Sequence, residues 1–255
     1  MRITISSAGS RKMGNEKKSG SVRNIMICLF AVLFLALNGL TVSFLVKGWL
    51  MYSDAVSEMS IGERIENIRS SEDFTRFSEL SDFYIAAVIS VEDHRFEKHC
   101  GIDIIAVCRA VWTDMKAMSW VEGGSTITQQ LAKNMIFTQE KKLERKIAEC
   151  FAALAIENEY SKSEIFELYV NTAYFGSGYY GIHDAAEGYF GKLPSELTDY
   201  ESAMLAGLPN APSAYSPDTN MELAVQRTSQ VLRSMVDNRI LTQEEAEDIM
   251  QGELM

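Results

Sequence analysis

A long apolar run near the N-terminus dominates the hydropathy pattern. Residues 25–46 are almost continuously apolar, with Asn38, Thr41 and Ser43 as the polar interruptions. In a helix, about 22 residues at roughly 1.5 Å each cover the roughly 30 Å hydrocarbon core of a bilayer. A cleaved signal peptide is the alternative, but its apolar region would span about 7 to 15 residues and end at a small-residue cleavage site. The pattern therefore predicts one transmembrane helix over 25–46, preceded by a disordered tail over 1–24.

After residue 47, apolar residues recur three and four positions apart, which is the spacing of amphipathic helices. Several helix starts are marked by a hydroxyl residue followed three positions later by a glutamate, a pair that satisfies the first backbone donors of a helix. These pairs are Ser161 with Glu164, Thr198 with Glu201, Thr219 with Glu222 and Thr242 with Glu245. The pattern predicts a mainly α-helical domain over 79–240, with a polar connector over 47–78 before it and a helical tail over 241–255.

Glu92 has an unusual place in this pattern. A helix that begins at about Asp82 would align Ile85, Val88 and Ile89 on one apolar face, with Glu92 at its end. A carboxyl group at the wall of a low-dielectric cleft is expected to have a raised pKa, and a base with a pKa nearer neutral suits removal of a hydroxyl proton. From the residues alone, the favoured interpretation is a glutamate held by a nearby arginine at a helix end.

A second helix of interest is predicted from about Lys142 to Tyr160. Its predicted buried stripe consists of Leu143, Ile147, Cys150, Phe151 and Leu154, and a second face carries Lys142, Arg145, Lys146 and Glu149. This second face is either a surface stabilised by an Arg145–Glu149 pair worth a few tenths of a kcal/mol, or a cationic wall for a diphosphate.

The charges divide at the apolar run. Six basic residues precede it against Glu16 alone, and this bias predicts a cytoplasmic N-terminus and an extracytoplasmic remainder. The whole chain has a net charge of −11, but 17 basic and 34 acidic residues follow Lys47 if that lysine is counted with the N-terminal part, a net of about −17. Nucleic acid is therefore not an expected partner. An anion would have to bind the one dense basic patch, formed by Lys133, Lys141, Lys142, Arg145 and Lys146.

The cysteines form neither a disulfide framework nor a metal pattern. They are Cys28, Cys100, Cys108 and Cys150. Their scatter matches no CxxC spacing, and adjacent His99 and Cys100 cannot easily converge with His94 on one ion. Free thiols are expected, and the sequence assigns no metal-ligand set.

The run from Gly123 to Asn134 has the sequence GGSTITQQLAKN. Glycine allows close backbone approach, while Ser125, Thr126 and the glutamines offer hydroxyl and amide groups beside the charge of Lys133. This set suits a ligand with phosphate or sugar groups. Taken alone, such a stretch is more often a capped helix start.

Further motifs flank this run. They are EDHRFEKHCGID over 92–103, RKIAE over 145–149, NTAYFGSGYYGI over 171–182, AAEGYFGK over 185–192 and LAGLPNAP over 205–212. Together the motifs resemble the peptidoglycan glycosyltransferase family, the lipid II polymerases, whose domain is shared with the N-terminal part of class A penicillin-binding proteins. The resemblance covers about residues 80 to 217, and several long motifs in the right order make it specific.

The resemblance implies a lysozyme-like helical domain behind a single-pass anchor in a bacterial plasma membrane. The implied reaction joins the C4 hydroxyl of a lipid II sugar to the anomeric carbon of a lipid-linked glycan chain, with inversion and departure of undecaprenyl diphosphate. The partners it implies are lipid II, the nascent glycan chain, membrane lipid and other cell-wall synthesis proteins. If the chain is complete, it is expected to polymerise glycan without transpeptidase activity.

Matched to the family motifs, Glu92 is expected to be the general base and Glu149 a second carboxylate near the leaving diphosphate. Lys133, Arg145 and Lys146 are expected to neutralise that diphosphate. The remaining candidate substrate-binding residues are Asp93, Phe96 and His99 of the first motif, and Thr126, Gln130 and Asn134, which contact substrate or hold the loop. No tightly bound cofactor is expected, although Glu149 could instead coordinate a divalent cation, Mg²⁺ or Mn²⁺.

Two other functions fit part of the pattern. A muramidase or lytic transglycosylase also uses a carboxyl group in a helical cleft, but it has no need of the cationic cluster. An inactive membrane-bound scaffold has no need of both acids and their cations. Residues 112–121, with Met115, Met118 and Trp120, could belong to the core or to a flap over a lipid-bearing substrate.

Overall fold

The computed structural model describes residues 13–117, 123–137 and 142–252, and the chain divides into two compact units, Met1–Lys47 and Gly48–Met255. The first helix, α1, runs from Met13 to Glu58, so residues 13–24 are helical rather than disordered. No proline interrupts this stretch, and its glutamate and lysines favour helix. Met26–Glu58 is long and apolar enough to cross a membrane, and its most apolar window is not buried by the rest of the chain.

The second unit is mainly α-helical, as predicted. After α1 its described helices are α2 Ile61–Arg69, α3 Asp82–Glu92, α4 Ile104–Ala117, α5 Ile127–Ile136, α6 Leu143–Glu159, α7 Lys162–Thr172, α8 Ile182–Phe190, α9 Asp199–Gly207, α10 Pro212–Tyr215, α11 Pro217–Asp237 and α12 Gln243–Gly252. The described strands, β1 Tyr174–Gly176 and β2 Tyr179–Tyr180, form one antiparallel ribbon. Short 3₁₀ turns cover Phe77–Glu79, Phe96–Lys98, Pro194–Glu196 and Leu208–Asn210.

The core gathers around α9, whose residues Tyr200 to Gly207 are all buried. Helices α3 and α11 pack against α9, and α5 packs against α6 and α7. Large side chains that are less than 2% exposed fill the space between these helices, among them Tyr84, Ile127, Phe166 and Tyr169. This packing brings the C-terminal end of α3 close to α5 and α11.

The core extends beyond the predicted domain limits of 79 and 240. Ile61 and Ile65 of α2, placed in the predicted connector over 47–78, are 7% and 1% exposed and belong to the core. Helix α2 begins at a capping box between Ser60 and Glu63. Ala246, within the predicted tail over 241–255, is also a core residue. Segments on both sides of the predicted domain therefore contribute to its folding.

Ile65→Ala is expected to destabilise the second unit by about 2–5 kcal/mol, because it removes buried methyl groups and leaves a cavity. The matched control is Ile240→Ala, which alters a side chain that is 52% exposed and should change stability by less than about 0.5 kcal/mol. Denaturant unfolding in detergent measures both effects. Equal stability of the two variants would show that α2 is only a connector.

Three of the four predicted capping boxes are present. Ser161 with Glu164 and Thr198 with Glu201 are reciprocal pairs at the starts of α7 and α9. Thr242 and Glu245 exchange the same two bonds before α12. The Thr219 prediction was wrong: Ser216 precedes α11, and the side chain of Asn220, at a kink inside α11, accepts the bond from the Leu223 amide.

The predicted buried stripe of α6 was wrong for Leu143 and Leu154, whereas Ile147, Cys150 and Phe151 are half-buried. Leu143 and Leu154 are 57% and 45% exposed, whereas the buried face consists of Ala148, Glu149, Ala152, Ala153 and Ile156. Small alanines let α5 and α7 approach α6 closely, so the large leucines are left on the outside. In the segment 112–121, Trp112 and Met115 are 60% and 67% exposed, while residues 118–122, including Met118 and Trp120, lie outside the described residues.

Candidate active site

A cleft of about 600 Å³ opens beside the C-terminal end of α3. Helix α3 contributes Glu92, α5 and the turn before it contribute the GGSTITQQLAKN motif, α6 contributes the RKIAE motif, and α11 forms another wall. The polar side chains on these walls include Glu92, Gln130, Lys133, Lys146, Glu149 and Arg227. The predicted base and two of the predicted cations therefore face one common space.

Glu92 is 7% exposed, and its two carboxylate oxygens have different surroundings. Oε2 accepts a hydrogen bond of 2.7 Å from Nε2 of Gln130. The hydroxyl of buried Tyr169 makes a long donor contact of 3.4 Å to Oε1 of Gln130. Oε1 of Glu92 has no hydrogen-bond partner among the described residues and lies 3.7 Å from Nη2 of Arg227. One oxygen is thus positioned by a hydrogen bond, and the other is buried without a hydrogen-bond partner among the described residues.

Burial raises the pKa of Glu92 above its ordinary value. The hydrogen bond from Gln130 and the charges of Arg227 and Lys133 oppose this rise, whereas the neighbouring Asp93 adds to it. A carboxylate with a raised pKa is a stronger base than an exposed glutamate while still ionised near neutral pH. The raised pKa that the helical pattern suggested for Glu92 therefore agrees with its surroundings.

The second predicted acid, Glu149, is 1% exposed and lies between two cations. Nζ of Lys146 donates to its Oε2 at 2.9 Å and also to the hydroxyl of Ser125 at 2.6 Å. Nε of Arg145 lies 3.4 Å from Oε1 of the same carboxylate. Glu149 therefore accepts a hydrogen bond from Lys146 and forms an ion pair with Arg145, while its role beside a leaving diphosphate stays a prediction.

Lys133 is the third cation near this carboxylate. Burial lowers the pKa of Lys133, and the charges of Arg145 and Lys146 lower it further, whereas Glu149 and Glu92 raise it. A partly desolvated ammonium group interacts strongly with an anion that enters its pocket. This end of the cleft is therefore suited to a diphosphate.

Thr126 holds the loop rather than facing the cleft. It is 2% exposed, caps α5 in a reciprocal pair with Gln129, and donates from its hydroxyl to the carbonyl of Gly101 at 2.7 Å. Gly101 has a φ of +86°, and a Cβ there would stand 2.9 Å from the carbonyl oxygen of Ala153, so this turn requires glycine. The motif is thus a capped helix start that also presents Gln130 and Lys133 to the cleft.

Of the first-motif residues, Phe96 and His99 do not contact the cleft. Phe96 is 1% exposed and belongs to the core. Nε2 of His99 lies 2.9 Å from Oδ2 of Asp93, and the same oxygen accepts from the Ile127 amide at 3.1 Å. These contacts tie the end of α3 to the start of α5. The prediction that Phe96 and His99 bind substrate is thus replaced by a structural role, and Asp93 is a link between helices at the edge of the cleft.

Asn134 lies one turn after Gln130 on α5, and no described contact places it on the cleft. Arg145 reaches the site through Glu149. Lys141 of the predicted basic patch lies outside the described residues.

The described residues do not by themselves form a complete ligand set for a divalent cation. Oxygen ligands are what Mg²⁺ and Mn²⁺ prefer, and both oxygens of Glu149 already face cationic side chains. Within the described ranges, no three His, Cys, Asp or Glu side chains converge as metal ligands. No catalytic step is therefore assigned to a metal.

Sequence reasoning missed the wall formed by α10 and α11. This wall contributes Tyr215, Arg227, Gln230 and Ser234, and the turn after α9 contributes Asn210. The spacing of Arg227, Gln230 and Ser234 puts them on one polar face, beside the buried face of Ala224, Val231 and Met235. These polar residues could have indicated that α11 lines the cleft, but any helix with one solvent-exposed face shows the same pattern.

Known proteins match most of the second unit. A family model described as Transglycosylase matches residues 60–236. Penicillin-binding protein 1A of Aquifex aeolicus is 44% identical over 175 residues, which cover 69% of this chain and 24% of that protein. Penicillin-binding protein 2D of Bacillus subtilis is 41% identical over 170 residues, which cover 67% and 25%. The chain spans about a quarter of the length of these curated relatives.

Among solved structures, penicillin-binding protein 1A from Haemophilus influenzae is 31% identical. The match covers 49% of this chain and 15% of that one, with a TM-score of 0.33.

Proposed function

The chain belongs to the transglycosylase family, and we propose that it is a peptidoglycan glycosyltransferase that polymerises lipid II into β-1,4-linked glycan strands. The observation that carries this proposal is the common cleft, which is lined by an acid with one oxygen that accepts no hydrogen bond from the described residues and by a set of cations. An inverting displacement of a diphosphate requires both, a base for the incoming hydroxyl and positive charge for the leaving group.

In the proposed reaction, Oε1 of Glu92 accepts the proton of the acceptor C4 hydroxyl. The acceptor oxygen forms a bond to the anomeric carbon of the growing chain, and the bond from that carbon to the diphosphate oxygen breaks. Its electron pair leaves with undecaprenyl diphosphate. Lys133 and Lys146 meet the charge that develops there, and Glu149 keeps Lys146 and Arg145 in position.

The proposed location is a bacterial plasma membrane, with the N-terminus in the cytoplasm and the second unit outside. The apolar part of α1 and the basic residues before it support this orientation. Exposed apolar side chains of α4 support contact of the second unit with membrane lipid, since Ile104, Ile105, Trp112 and Met115 are 58–72% exposed.

The test is incubation of the detergent-solubilised protein with labelled lipid II, with and without a metal chelator. We expect a polymer that muramidase digests, formed in the presence of the chelator as well. Clearance of finished cell wall without lipid II would instead identify a lytic enzyme, and binding of lipid II with no product would identify a scaffold. We further propose that the region of residues 60–236 forms glycan linkages and does not itself form peptide crosslinks.

Lys133→Met is expected to lower kcat/KM for lipid II by about 10²-fold or more, because it removes a partly buried positive charge from the diphosphate pocket. Lys98→Met is the matched control, since Lys98 is exposed on the 3₁₀ turn after α3. Initial rates of polymer formation measure both variants. Near-normal turnover of Lys133→Met would remove Lys133 from the diphosphate site.

A further inference from the structure

Hydrogen bonds and packing hold the side chain of Arg227 in position beside Glu92. Its Nε donates to the carbonyl of Gly207 at 3.1 Å, and its Nη1 donates to Oε1 of Gln230 at 3.2 Å. The guanidinium carbon lies 5.6 Å from the ring centre of Tyr215. A Cβ at Gly207 would stand 2.8 Å from Cγ of Arg227, so the absence of a side chain there makes room for the arginine. The guanidinium is 12% exposed and has little freedom to move.

In this position the guanidinium of Arg227 does not hydrogen-bond the carboxylate of Glu92. Nη2 of Arg227 lies 3.7 Å from Oε1 of Glu92, beyond the 2.7–3.2 Å range of an N–H···O hydrogen bond. At this distance the positive charge stabilises the carboxylate through the poorly solvated cleft, since such interactions extend well beyond hydrogen-bond length. The lone pairs of Oε1 are not used by the arginine. A base needs both conditions, an ionised carboxylate and an oxygen that can accept a proton.

Other ionisable groups face Glu92 from its own helix and from α5 and α7. Asp93 follows it on the chain, Lys133 faces it from α5, and the buried phenols of Tyr84 and Tyr169 lie on α3 and α7. Burial is the main cause of the raised pKa of Glu92, and Arg227 is the first of the charged groups that counteract it. Without Arg227, Lys133 would be the one described residue left to stabilise the ionised form by charge.

We propose that Arg227 is a positioning residue that keeps Glu92 ionised while leaving Oε1 without a hydrogen bond, so that its lone pairs can accept the proton of the acceptor hydroxyl. The proposal rests on the proposed function, because it assigns Glu92 the role of base. It predicts a change in the pH dependence of the reaction, which the loss of a simple structural contact would not cause.

The experiment compares pH profiles of kcat/KM for Arg227→Gln, Arg227→Lys and the unmodified protein. We expect the acidic limb of Arg227→Gln to move upward by about 1 to 3 pH units, because an opposite charge within about 4–6 Å lowers a carboxyl pKa by that amount. Arg227→Lys should recover most of the shift. Arg233→Gln, at an exposed position of the same helix, is the matched control and should leave the limb in place. A uniform loss of rate with an unmoved acidic limb would overturn the proposal.

A second readout needs no substrate. Carbodiimide modifies protonated carboxyl groups, so the pH midpoint for modification of Glu92, followed by mass spectrometry, reports its ionisation directly. We expect this midpoint to rise in Arg227→Gln and to return in Arg227→Lys. If lipid II is not polymerised but the midpoint still rises, the proposed function fails while the control of Glu92 by Arg227 stands.

If Arg227→Gln does not fold, a second variant tests the proposal. Gln230→Ala removes one anchor of the arginine and should give a smaller rise of the midpoint. An unchanged midpoint in that variant contradicts the proposal.

Discussion

Glu92→Gln is expected to lower kcat for lipid II polymerisation by about 10²–10⁴-fold while the protein remains folded. The amide has nearly the shape of the carboxyl group and can still contact Gln130, but it cannot accept the acceptor proton. The measurement is the initial rate of glycan formation with purified protein, together with its thermal unfolding to confirm the fold.

Glu97→Gln provides the matched control for this prediction. Glu97 is an exposed acid five residues further along the chain and lines a different cavity, next to Phe77 and Phe166. Its variant should polymerise lipid II at the normal rate. A Glu92→Gln variant with comparable turnover would exclude this residue as the base.

Glu149→Gln is expected to lower kcat by about 10²-fold and to move the alkaline limb of the pH profile to lower pH. Glu149 raises the pKa of Lys133, so its removal lets burial and the charges of Arg145 and Lys146 lower that pKa further. A larger fraction of Lys133 is then neutral at a given alkaline pH. A neutral lysine cannot stabilise the departing diphosphate, so activity is lost earlier as the pH rises.

Glu159→Gln, at an exposed position near the end of the same helix, is the control for this variant. Its pH profile should match that of the unmodified protein. If Glu149→Gln loses activity equally at every pH, the carboxylate does not act through the charge of Lys133.

Local sequence signals predicted the elements that carry the two acids. Helix α3 spans Asp82–Glu92 as predicted, and α6 spans Leu143–Glu159, within one residue of the prediction at each end. Periodicity and caps are local properties, so a short window of sequence contains them. The grouping of Glu92 with Lys133 and Lys146 came from the family motifs, since no local pattern relates α3 to α5 and α6.

The parts that could not be predicted depend on packing between distant segments. Leu143 and Leu154 are apolar enough for a core, but alanines occupy the tight contacts of α6 because its neighbours approach closely. Arg227 lies 135 positions after Glu92 in the chain, and only the packing of α11 against α3 and α9 brings the two together. Ile61 and Ile65 follow a polar stretch. For that reason the sequence predicted a connector there and not a part of the core.

We propose that proton removal by Glu92 and departure of the diphosphate occur in one cleft as one displacement. The most direct test counts both products in a single reaction, the undecaprenyl diphosphate released and the β-1,4 linkages formed from lipid II. We expect one diphosphate for each linkage in the unmodified protein, and a parallel loss of both in Glu92→Gln. Release of diphosphate at the normal rate by Glu92→Gln, without linkages, would contradict this proposal.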